Sequence, residues 1–214
     1  MRESKREKLA QFNRENILAA ARELFETQGM ERTTMDEVAL RADCSKSTVY
    51  VYFQSKAEIF NTIVYESMAL LRDGLEAALR ESATLEDAFY ALCGTMVKFQ
   101  EEYPLYFDSI LGTIRVGEED FRSSPVLRET YEKGEEINAL LTDAFRRWME
   151  AGSLRKDLRP LPTIFMLWGS IGGIIKMADR KENYFREKLG LGKADFLHES
   201  FRLLLDSLRG GVQR

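Results

Sequence analysis

An all-α protein is what the 214-residue sequence predicts, on three observations. Apolar residues recur at helical period along nearly the whole chain, and no stretch alternates apolar and polar residues long enough for a strand. Capping-box pairs and helix-stopping glycines then divide that pattern into segments. With 31% charged and 44% apolar residues, the composition is that of a soluble chain, long enough for one sizeable core or two small domains.

Taken in order, Ile17, Leu18, Ala21, Leu24 and Phe25 predict a first helix, stopped at Gly29. Thr34, three residues before Glu37, opens a second, with Val38, Ala39 and Ala42 facing inward. A turn at Asp43 and Cys44 leads to a short third helix from Ser45, with Val49 and Phe53 as its apolar positions. Ser55 and Glu58 repeat the capping spacing, and the period runs through Ile59, Ile63, Met68, Leu71, Leu75 and Leu79, a helix of about 27 residues or roughly 40 Å. Thr84 and Asp87 start the next, ending near Tyr103, and Pro104 suits the first turn of another. "GEEDFRSSP" reads as a polar connection before Val126–Glu150, which Gly152 ends. Two last helices are expected, from Thr163 to about Arg180 and from Asp195 to Leu208, separated by Gly190 and Gly192.

Charge and cysteine usage narrow the function classes. The formal net charge of −4 disfavours wholesale coating of a nucleic acid, so any contact must be local. The first fourteen residues are locally basic, with Arg2, Lys5, Arg6, Lys8 and Arg14 against Glu3 and Glu7. Cys44 and Cys93 form no disulfide framework, redox pair or zinc site, which makes a reduced, cytoplasmic protein the default. Met1 to Lys8 is mostly charged, unlike an apolar leader. The longest uncharged run, Pro160 to Ile175, is short for a bilayer and reads as a buried helix, so no membrane partner is expected. His198 is the only histidine, and neither metal-ligand spacing nor G-x-S-x-G occurs; no enzyme, cofactor or metal site is expected.

The second and third helices have the ingredients of a helix-turn-helix, whose second helix enters the major groove with its first residues at base edges. Here those residues are Ser45, Lys46, Ser47 and Thr48. Lysine donates to guanine O6 and N7, hydroxyls bond several edges, and a threonine methyl packs on thymine. Tyr50 and Tyr52 suit phosphates through their hydroxyls, and Lys56 at the start of the long helix adds a cation there.

"TTMDEVALRADCSKSTVYVYFQSKAEIF", preceded by a helix ending in "LFETQG", resembles the N-terminal signature of the TetR family of transcriptional regulators over roughly residues 10 to 60. The resemblance implies a three-helix DNA-binding domain, residues 1–54, followed by an α-helical ligand-sensing and dimerisation domain, residues 55–214. It adds Thr33 and Thr34 to the backbone contacts, and it implies a homodimer on a palindromic double-stranded operator, most simply as a repressor released by a small-molecule effector. Where the family carries glycine and then a small aliphatic residue at the turn, this chain has Asp43 and Cys44. Aspartate tolerates the left-handed conformation at a cost of about 1 kcal/mol relative to glycine.

Beyond residue 60 only the order of helices matches. Tyr103, Phe107, Ile110, Phe145, Trp148, Phe165 and Trp168 lie on the helices that enclose the ligand in the family, and their character suits a hydrophobic or aromatic effector. Gly169, Gly172 and Gly173 sit inside a helix, where close approach of another helix would offset their poor propensity. With Ile171, Ile174, Ile175, Phe201, Leu204, Leu205 and Leu208 they are the expected four-helix dimer interface. Two alternatives stay open: a C-terminal domain that binds a protein partner instead of a small molecule, and an activator instead of a repressor.

Overall fold

The computed structural model describes residues 5–112 and 117–209, so Arg2 and Glu3 of the basic arm lie outside the described residues. Among those residues the chain forms ten α-helices and one π-helical turn. They are α1 (Lys5–Gln28), α2 (Met35–Arg41), α3 (Lys46–Tyr52), α4 (Lys56–Glu81), α5 (Leu85–Glu102), α6 (Pro104–Ile110), α7 (Glu118–Ser123), α8 (Pro125–Glu150), α9 (Pro160–Tyr184) and α10 (Lys193–Leu208), with the π turn at Phe185–Leu189. They group into two units, Met1–Ser67 with Ile114–Tyr131, and Met68–Thr113 with Glu132–Arg214.

In the first unit, the apolar period of each helix converges on one small core. Ile17, Ala21 and Phe25 of α1, Val38 of α2, Val49 of α3 and Ile59 and Ile63 of α4 are each at most 1% exposed. Phe25 meets Phe60 with ring centroids 5.9 Å apart. Short helices such as α2 and α3 cannot hold themselves, so capping and this shared core must do it. Thr34 caps α2 in a full capping box with Glu37, and Ser45 caps α3. Ser55 caps α4 as expected, but Glu58 reaches one residue further back, accepting from Gln54 N at 2.7 Å.

The stretch "GEEDFRSSP", expected to be a connection, instead contains α7. Phe121 is the reason: it is buried, its ring lies 5.6 Å from that of Tyr131, and Arg128 covers it at 5.0 Å. One anchored aromatic can hold a short charged helix that periodicity does not announce.

The second unit is built on a larger core from α4, α5, α6, α8, α9 and α10, including Leu71, Phe89, Met96, Phe107, Phe145, Ile164, Ile175 and Leu205. Cys93 belongs to it, and burial pushes its thiol up to about 12. Lys193, at the start of α10, ties that helix to α5 and α9: its Nζ lies 2.9 Å from Glu101 Oε1 and 2.7 Å from Asp179 Oδ1. These bonds raise its pKa, Asp179 contributing most.

Helix α9 starts earlier than expected, because Pro160 and Pro162 occupy its first turn, where their missing N–H groups cost nothing, and it runs on to Tyr184. Pro160–Leu189 is long and apolar enough to cross a membrane by length and composition, with 39% of its most apolar window buried. Thr163, Ile164, Leu167, Ile171, Ile175 and Ala178 pack into the core of the second unit, so the helix is partly buried core.

Candidate nucleic-acid interface

The turn between α2 and α3 is made by Asp43, the one described non-glycine residue with positive φ, at 51°. Its N–H donates to Leu40 O at 3.2 Å, and Cys44 N–H to Ala39 O at 3.0 Å, so the chain reverses without losing its backbone bonds. Cys44 is half-buried, and burial, followed by the Asp43 carboxylate, raises its thiol pKa. A neutral thiol suits a packing role.

With Val49 wholly buried, α3 presents its opposite side outward, and Ser45, Lys46, Ser47 and Tyr50 are all exposed. Ser45 Oγ accepts from Thr48 N at 3.0 Å and lies 2.8 Å from both Ser47 Oγ and Thr48 Oγ1. The three hydroxyls are therefore a connected set fixed by the helix cap. Lys46 Nζ donates to Asp36 Oδ2 at 2.9 Å, and this bond raises the lysine pKa.

The expected backbone contacts divide. Thr34 is exposed, but its side chain is engaged with Glu37, whose carboxyl its backbone bond holds below the ordinary value. Thr33 is 1% exposed, and its hydroxyl donates to Gly29 O at 2.9 Å, so in this conformation it supports the α1–α2 loop from inside. Lys56 is half-buried and donates to Glu31 O at 3.0 Å and Thr33 O at 2.8 Å, leaving one of its three donors. Tyr52 is half-buried, accepts from Asn13 Nδ2 at 3.4 Å, and lines a half-open cleft of about 770 Å³ with Arg14, Asn61, Tyr65 and Glu66.

Sequence reasoning passed over Leu40 and Val51, which are 82% and 75% exposed. Each breaks the inward phase set by Val38 and Val49, and that mismatch was readable. It also passed over Asp36, whose pairing with Lys46 across ten residues has no local signal.

In the second unit, the expected pocket wall separates into three environments. Phe107 and Phe145 are core, at 2% and 5% exposure. Tyr103, Ile110, Trp148 and Trp168 are half-buried against that core. Phe165 is 45% exposed on the outer side of α9, and so does not line an interior.

The expected dimer contacts divide as well. Ile171, Ile175, Phe201, Leu205 and Leu208 are no more than 5% exposed and are consumed by the unit's own core. Gly172 is buried too, with Leu111 filling the place a Cβ would take. Ile174 and Leu204 are half-buried, while Gly169 and Gly173 face outward with open space around them. The outward face of α9 is thus Phe165, Met166, Gly169, Gly173 and Met177.

Two short helices across a tight turn, the second exposing a polar face, define a helix-turn-helix protein. Residues 17–63 match the model of bacterial regulatory proteins of the tetR family. The chain is 25% identical over 218 residues to the transcriptional regulator TcmR of Streptomyces glaucescens, covering 95% of this chain and 86% of that protein. It is 31% identical over 100 residues to the transcriptional activator FasR of Mycolicibacterium smegmatis, covering 45% of this chain and 46% of FasR. The chain spans about half the length of two of the curated relatives it matches, 47% and 46%. A TetR/AcrR-family regulator from Thermobifida fusca superposes with a TM-score of 0.68 at 20% identity, over 94% of this chain and 98% of that one. The chain belongs to the TetR family of transcriptional regulators.

Proposed function

We propose that the protein regulates transcription by binding a palindromic duplex operator as a homodimer and leaving it when a small hydrophobic effector occupies the second unit. The observation that carries this reading is the exposed, cap-fixed start of α3, where Ser45, Lys46 and Ser47 stand outward over a fully buried Val49. In the major groove, Lys46, Ser47 and Thr48 read base edges, while Tyr50 and the spare donor of Lys56 meet phosphates. Two such helices in a dimer reach successive grooves about 34 Å apart.

A second copy of the chain is the partner proposed for the outward face of α9, where Gly169 and Gly173 allow close approach between Phe165, Met166 and Met177. Effector contacts are assigned to the half-buried aromatic rim of Tyr103, Trp148 and Trp168, beside Phe107, Ile110 and Phe145. Release requires only that the effector bind the non-DNA conformation more tightly, and α4, about 39 Å of unbroken helix, is the element through which that preference passes.

Selection of duplexes from a random pool, followed by salt titration of binding, tests the reading. Tyr50→Phe is expected to weaken all duplexes alike, whereas Lys46→Ala and Thr48→Ala also change the preferred sequence. Absence of salt-sensitive, sequence-selective binding by the dimer overturns it.

A further inference from the structure

The segment that would face DNA holds its cations in use. Between residues 33 and 60 the chain has three, Arg41, Lys46 and Lys56. Arg41 is paired with Glu23 of α1, Lys46 with Asp36 of α2, and Lys56 with two loop carbonyls. From Met35 to Tyr52 the acids Asp36, Glu37 and Asp43 outnumber Arg41 and Lys46. A surface whose task was merely to attract phosphates would not be built this way.

Asp36 is the informative member. Glu37 beside it is spent on the α2 cap, but Asp36 caps nothing and is 66% exposed; the partner it is given is the reading lysine, itself 52% exposed. So exposed a pair contributes little to folding. Its consequence falls on encounter with a polyanion. A phosphate approaching Lys46 meets a carboxylate 2.9 Å from the ammonium and must displace it or sit against a like charge. A guanine edge is uncharged and accepts from the same ammonium without that repulsion.

We propose that Asp36 is a specificity-determining residue: it holds Lys46 for base edges and opposes its use on phosphates, lowering affinity for non-cognate DNA. The inference rests on the DNA-reading assignment above. Both contacts are surface ones, so the variants should fold, which thermal melts followed by circular dichroism would verify.

The test compares the selected duplex with a random-sequence duplex of equal length, by fluorescence anisotropy across a salt series. Asp36→Asn should tighten binding to the random duplex about two- to fivefold, and steepen its salt dependence by about one counterion. The selected duplex should gain less, so the ratio between the two falls. In a Lys46→Met background the same substitution should change the ratio little, because its effect passes through Lys46. An unchanged ratio overturns the proposal, and so does an equal gain on both duplexes that persists without Lys46. If the unaltered chain selects no duplex at all, the DNA-reading assignment fails and takes this inference with it, a result distinct from an unchanged ratio.

Discussion

Single side chains decide how firmly α2 and α3 are held. Asp43 adopts a left-handed φ of 51° that its Cβ disfavours. Asp43→Gly should therefore raise unfolding free energy by about 0.5 kcal/mol, read from chemical denaturation. Lys56 bonds the carbonyls of Glu31 and Thr33, immediately before the α2 cap. Lys56→Ala should cost about 1 kcal/mol of stability and weaken binding to every duplex, with greater hydrogen exchange in the α1–α2 loop as the discriminating signal. A phosphate contact alone would leave exchange in the free protein untouched. The sequence places Lys56 at the start of the long helix, whereas its two carbonyl partners have no local signal, because they lie 25 and 23 residues away.

Helices differ in how openly the sequence declares them. Thr34, Ser45 and Thr84 announce the starts of α2, α3 and α5, and each caps its helix. The Glu37 carboxyl is held below its ordinary value of 4.5 by the Thr34 bonds. Its contribution is thus fully present above that value and lost as pH falls through the lower folded one. Acid titration followed by amide signals in α2 should show the start of this helix loosening only once the pH has fallen below the ordinary carboxyl value of 4.5. In α9 the phase was illegible: apolar residues cover nearly its whole circumference, so period could not say which side the core would take. Leu111 and Gly172 reveal the inner side. Gly172→Val should destabilise the protein by about 1–3 kcal/mol, and the double variant with Leu111→Ala should lose less than the two singles added, in thermal unfolding.

At the scale of the whole molecule, the proposed dimer and the fold draw on opposite sides of α9. Gly173→Glu places a charge on the outward face and should yield a folded monomer in sedimentation, with duplex affinity sharply reduced. Ile175→Ala, on the inward face, should instead cost about 2–4 kcal/mol of stability without selectively altering association. One further property follows from the way the first unit is assembled from two separated stretches of chain, Met1–Ser67 and Ile114–Tyr131. A single crossover in the gene after the codon for residue 67 would transplant α1 to α3 with the first part of α4, and leave α7, with its buried Phe121, behind in the donor. With α2 and α3 as the proposed readers, operator preference would pass between relatives more cleanly by changing codons within those two helices than by shuffling the unit entire.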